Sequence, residues 1–201
     1  MDQVIDYFNH TWGYVELAGT VASLICVYLA VTQNIWTWFW GAIGVVIFGP
    51  LFYHYQLYSD AGLQILFFLP MQVLGWYIWK YKGSEGIDSL NVKCLSDNSY
   101  ILIVATMFVV SGILGHIMSS YTDASFPYAD ALTTVMSIFA QILMLRKFVE
   151  SWHIWVAMDA IAIYIYSAKE LYVVSGLYAL FFVLASMGWV AWHRSYKEQE
   201  I

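Results

Sequence analysis

Seven apolar runs, each close to the length that crosses a bilayer, decide what this chain can fold into. They span residues 14–31, 36–55, 61–79, 101–120, 130–145, 152–166 and 171–192. A helix crosses the hydrocarbon core with about 20 residues, range about 17–25. In lipid every backbone N–H and C=O must be paired within the protein, so such a run is a helix. The rest of the composition agrees: 61% of residues are hydrophobic, 19% aromatic and only 11% charged. Average soluble domains carry about 25% charged residues. The expectation is an all-α membrane protein with seven transmembrane helices, and Trp and Tyr gather at the span edges as interfacial anchors.

The charges give direction. Lys80, Lys82 and Lys93 fall between runs three and four, Arg146 and Lys147 between five and six, and Arg194 and Lys197 after run seven. Only Lys169 lies on the other side. The positive-inside rule then puts the N-terminus outside and the C-terminus in the cytoplasm. Asp2 and Asp6 stand where a signal peptide would carry basic residues. A net charge of −6 argues against nucleic acid as a partner. Cys26 lies in an apolar run and Cys94 in a polar loop, so no disulfide is expected. His10, His54, His116, His153 and His193 read as boundary residues without metal-ligand spacing, so no metal or other cofactor is expected.

The chain also repeats itself. "LYSDAGLQILFF" from Leu57 and "LYVVSGLYALFF" from Leu171 agree at seven of twelve positions, 114 residues apart. At the same offset Glu16 meets Asp130, Thr20 meets Thr134, Ser23 meets Ser137 and Trp38 meets Trp152. "GWYIW" at Gly75 matches "GWVAW" at Gly188 one residue out of register, which places an extra residue near Pro70. A single transmembrane domain over 1–201 is expected, with repeat one at 14–79, a linker helix at 100–120 and repeat two at 130–192. Runs one and five point the same way, so the repeats are parallel. Parallel repeats are a transporter architecture with the substrate site near the membrane midplane.

Polar residues inside the runs are the candidate site. Asp130, Thr134, Ser137 and Gln141 share one face of run five, and either pack helices or line a site. Trp152, Trp155, Asp159 and Tyr166 share one face of run six, while Tyr164 points elsewhere. All eight basic residues sit in loops, tails or span ends, so Asp159 has no cationic partner on another span. It is either a hydrogen-bonded structural acid or the countercharge of a bound cation. Trp and Tyr beside it supply stacking and cation–π attraction for a flat organic cation. Gln64 and Gln141 are candidate hydrogen-bond readers, and Trp38 a wall or gate matching Trp152.

These features resemble the PnuC family of bacterial vitamin transporters. The resemblance rests on "VELAGTVASLICVYLA", on "LYSDAGLQILFF" with "GWYIW", and on "DALTTVMSIFAQILMLRKFVESWHIW". It implies a SWEET-like 3+1+3 fold, the bacterial inner membrane, and facilitated diffusion of a cationic ring vitamin. Asparagines expected on the core helices of nicotinamide riboside members are missing, and Asp159 has appeared. That departure resembles the thiamine-transporting PnuT branch, so thiamine is the expected substrate and nicotinamide riboside the alternative. The bilayer is the other partner, and a homo-oligomer is compatible with the sequence. An intramembrane enzyme using Asp159 as a base, or a ligand sensor, are the rivals from other classes. No nucleophile–base pair or second buried acid near Asp159 supports the enzyme.

Overall fold

Each long apolar run has to stop and reverse, and the chain does this twice with the same turn. The computed structural model describes residues 11–54, 58–81, 91–121, 126–168 and 172–199. Tyr55, Leu57, Lys82, Lys169, Leu171 and the N-terminal Asp2, Asp6 and His10 lie outside them. Helix α1 (Thr11–Val31) ends and α2 (Trp36–His54) begins around Gln33. Helix α6 (Pro127–Leu145) ends and α7 (Glu150–Ala168) begins around Lys147. Gln33 and Lys147 have φ of 55° and 56°, the only positive values at non-glycine residues among those described.

The hydrogen bonds of the two turns correspond. Gln33 N–H donates to Ala30 O at 3.0 Å and Asn34 N–H to Leu29 O at 2.8 Å. Lys147 N–H donates to Met144 O at 3.0 Å and Phe148 N–H to Leu143 O at 3.0 Å. This 6→1 and 5→2 pairing is a Schellman motif, which satisfies the last helix carbonyls through one left-handed residue. The helix ends Val31 and Leu145 are 114 apart.

The chain divides into two compact units, Met1–Ser89 and Leu90–Ile201. In the first, α1 packs on α2, and α2 packs on a third rod. That rod is α3 (Tyr58–Leu63), a π-helical stretch (Gln64–Phe68) and α4 (Leu69–Tyr81). Within the stretch, Leu69 N–H donates to Gln64 O, five residues back instead of four. Phe68 to Gly75 is seven residues, whereas Phe182 to Gly188, its counterpart, is six. A π-turn is how a helix absorbs one added residue without breaking. The added residue expected near Pro70 is therefore taken up just before that proline, whose missing N–H leaves the ladder loose there.

In the second unit, α5 (Asp97–Tyr121) packs on α6, α6 on α7, and α7 on α8 (Tyr172–Gln199). Their apolar core joins Met107, Val135, Met136, Ala140, Leu143 and Ile154. The segment before α5 docks on the α6–α7 turn. Lys93 N–H donates to Lys147 O and Val149 N–H to Lys93 O, both at 2.9 Å. Leu95 N–H donates to the Glu150 carboxylate at 3.0 Å. Burial lowers the Lys147 ammonium below the usual lysine value of 10.5.

All regular elements among the described residues are helices. Six segments among the described residues are long and apolar enough to cross a membrane: Gly13–Val31, Trp36–His54, Ala61–Tyr81, Asp97–Tyr121, Pro127–Leu145 and Val174–Gln199. Helix α7 is 19 residues long, as α2 is, but is not among them. Glu150, Ser151, His153 and Asp159 make it the most polar of the expected spans.

Candidate functional site

Helix α7 meets α8 at two aromatic contacts with an acid between them. Near its start, Trp152 is 1% exposed. Its ring lies against Gly188, where a Cβ would come within 2.6 Å of three ring atoms. The same ring meets Trp192 edge-to-face, centroids 5.5 Å apart. Near the end of α7, Tyr166 stacks on Tyr178 of α8 at 5.2 Å and 12°. Asp159 lies seven residues from each, about 10 Å along the axis in either direction. Seven residues bring it back to the Trp152 face of the helix. Tyr164, which the spacing sets apart from this face, is exposed.

Asp159 is 3% exposed and has no hydrogen bond or ion pair with any described residue. A carboxylate taken out of water loses several kcal/mol of solvation unless something repays it. Such an acid calls for a proton or a cation. Its side chain is buried within the protein.

The other candidates divide between the units. Gln141 on α6 is 7% exposed and also has no hydrogen bond to a described residue. Ser137, one turn earlier, donates to Thr134 O at 2.8 Å, so its hydroxyl is satisfied inside its own helix. Trp155 is partly buried and packs against the apolar core of α5–α7. In the first unit, Trp38 repeats the Trp152 arrangement: its ring lies against Gly75 and meets Trp79 edge-to-face at 5.2 Å. The indole N–H groups of Trp38 and Trp152 are both sealed from solvent without a partner among the described residues. Gln64 opens the π-helical stretch and is half-buried, its Cβ 4.0 Å from where a Cβ on Gly49 would stand.

Gln72 stands out in the sequence as a polar residue of run three and Gly41 as a small residue of run two, but their contact is not legible there. Gln72 of α4 is buried with its amide in a notch left by Gly41 of α2. The pattern that could have revealed it is the repeat: Trp155 occupies the position of Gly41 in the second half. Among the described residues no group of three metal-ligating side chains comes together.

Long apolar helices that bury carboxylate and amide groups define a class: a multi-pass membrane protein with polar groups held inside it. The sequence profile of the nicotinamide mononucleotide transporter family matches residues 13–194. The chain belongs to that family, the PnuC vitamin transporters, and is a transporter and not an enzyme. It is 30% identical to the nicotinamide riboside transporter PnuC of Escherichia coli strain K12, over 92% of this chain and 87% of the relative. It is 26% identical to the riboflavin/roseoflavin transporter RibM of Streptomyces davaonensis, over 88% of this chain and 83% of the relative. A crystal structure of the vitamin B3 transporter PnuC shares the fold, with a TM-score of 0.77, 20% identity, and coverage of 98% of this chain and 87% of that one.

The thiamine expectation does not gain from these relatives, whose names give nicotinamide riboside and riboflavin. The physical reason is plain. Thiamine and nicotinamide riboside are both flat rings with a fixed positive nitrogen. An acid among aromatics attracts either one and does not separate them.

Proposed function

We propose that this chain is a passive carrier of nicotinamide riboside in the bacterial inner membrane. The relatives' names and the buried acid support the same substrate class. The observation that carries the reading is Asp159: 3% exposed, on a helix facing a neighbour, and unpaired among the described residues. Its carboxylate supplies the countercharge of the pyridinium ring. Trp155 and Gln141 line the substrate in the second unit, with Trp152 and Tyr166 fixing the helix that presents the acid. Trp38 and Gln64 serve the first unit. Thiamine is the second reading, favoured by the same acid.

The arrangement that suits this task is the SWEET-like one, with seven spanning helices and two like-oriented triplets joined by α5. Helix α7 is the seventh span, its lower hydropathy reflecting the site it carries. The shared Schellman turns at Gln33 and Lys147 and the Trp38–Gly75 and Trp152–Gly188 contacts support two copies of one three-helix unit. Seven of the eight basic residues support a cytoplasmic C-terminus.

Purified protein in sealed vesicles tests the reading. Labelled nicotinamide riboside should enter until concentrations are equal, without chemical change, and thiamine and riboflavin should compete weakly. Accumulation above equilibrium would contradict passive carriage. Faster entry of thiamine than of nicotinamide riboside would move the substrate to the second reading.

A further inference from the structure

The start of α7 buries an acid and a histidine whose hydrogen-bonding capacity the fold leaves half used. Glu150 is 8% exposed, and its Oε1 accepts the Leu95 N–H at 3.0 Å. Its other oxygen, Oε2, is sealed from solvent without a partner, and so is Nε2 of His153. The two residues stand three apart on α7, which makes them neighbours on one helix face. The His153 ring meets Trp189 of α8 edge-to-face at 4.8 Å and Tyr100 of α5 at 6.0 Å. All of these residues belong to the second unit.

The first unit shows what packing alone accepts at the same positions. Trp36 stands 114 residues before Glu150 and Phe39 114 before His153, while Trp76 stands 113 before Trp189. Those three rings meet edge-to-face, Trp36 with Phe39 at 5.5 Å and with Trp76 at 5.3 Å. Trp36 and Phe39 are exposed. In the second unit the acid and the histidine lie instead against residues 91–100, the stretch that brings the chain in from the first unit and leads into α5. That stretch is tied to the α6–α7 turn at Lys93, and to α7 through Glu150. Burying an unpaired oxygen and an unpaired ring nitrogen costs free energy that an aromatic pair would not. The polar pair therefore sits where the incoming chain is held.

We propose that Glu150 and His153 form an acid-released clasp on this stretch, closed while His153 is neutral and opened by a proton on it. A neutral imidazole suits the site, enclosed by two rings. An imidazolium there needs a countercharge, and Glu150 is the acid that neighbours it. When the carboxylate turns to the Nε2–H of the charged ring, it gives up the Leu95 N–H, and the stretch loses its hold on α7. The other groups around the pair do not take its place. Tyr100 of α5 is uncharged, and Asp97, one turn earlier, is exposed. His193 of α8 acts on the charge of His153 as Glu150 does, but with the opposite sign, and Arg194 beside it is a second cation. Helix α6 has no titratable side chain between Asp130 and Arg146, and the turn brings only Lys147, with Lys93 facing it. The clasp thus holds at neutral pH and above, and is lost as the pH falls through the histidine range, about 6.5 in water.

Hydrogen exchange of residues 91–96 in the full-length protein in detergent, at about pH 7.5 and about pH 5.5, tests this. At each pH wild type and variants share one intrinsic exchange rate for this stretch, so their ratio isolates the clasp. The variants are His153→Gln and His153→Phe, the second carrying the residue that the first unit has at this position. All three proteins should exchange alike at the upper pH. At the lower pH the wild type should exchange about tenfold faster than either variant, the factor for one lost hydrogen bond to a charged group. Equal exchange in wild type and a folded variant at the lower pH would overturn the proposal. So would an acid loss of protection in the wild type that spreads evenly over α6 and α7, since that is general loosening and not release of a clasp.

Discussion

Gly188 gives its missing side chain to the Trp152 ring: a Cβ there would stand 2.6 Å from three ring carbons. Gly75 stands in the same relation to Trp38, so the same glycine–indole contact joins α4 to α2 and α8 to α7. The ring at Trp152 is among the most buried side chains and has nowhere to retreat. Gly188→Ala should therefore lower stability by about 1–3 kcal/mol, the usual cost of overpacking a filled core. Gly112, with nothing within 4 Å of its Cβ position, is the control. Gly112→Ala should be neutral or slightly stabilising, since Ala is favoured over Gly in a helix by about 1 kcal/mol. Thermal unfolding in detergent measures both, and equal effects would refute the contact's importance.

The π-helical stretch makes a second prediction. If Gln64–Phe68 absorbs an added residue, deleting Leu69 lets the rod rewind as an α-helix with Gly75 still on Trp38. Deleting Val183, its counterpart in the uninterrupted α8, turns everything beyond it by about 100° and takes Gly188 off Trp152. The Leu69 deletion should fold and the Val183 deletion should not, judged by monodispersity and melting temperature. Equal damage from both would mean the stretch is not an accommodated insertion.

Lys147 carries two costs at once. Its left-handed backbone costs a non-glycine residue roughly 1–2 kcal/mol. Burial also disfavours its charge, which holds the ammonium below 10.5 in the folded protein. Between that lowered value and 10.5 the unfolded chain binds more protons than the folded one. Stability should therefore rise with pH across this alkaline window. Lys147→Gly removes both costs. It should raise the melting temperature at pH 8 and flatten the alkaline rise, whereas Gln33→Gly should give the backbone gain alone. A falling profile in the wild type would contradict the burial.

The helices were legible because bilayer length and apolar runs leave little choice, and the expected ends match those observed within four residues, except that α8 runs seven residues past its expected end. The offset of 114 was legible from Trp38/Trp152 and the repeated phrases. Its consequences in three dimensions, a Schellman turn on Gln33 and another on Lys147, were not, since neither residue type announces a left-handed backbone. The register shift could be located near Pro70, yet not its form as a π-turn. Asp159 was legible because a lone acid in an apolar run is conspicuous. The contact of Gln72 with Gly41 was not, because the two stand 31 residues apart and no period links them. The choice between thiamine and nicotinamide riboside could not come from Asp159, since charge and flatness are common to both.

The most direct test is the affinity of Asp159→Asn for the pyridinium form of nicotinamide riboside and for its dihydro form, which has no ring charge. If Asp159 is the countercharge, the variant should bind the cation at least about tenfold more weakly. It should bind the neutral form as the wild type does, with no loss of melting temperature. Unchanged affinity for the cation in a folded Asp159→Asn protein would contradict the account.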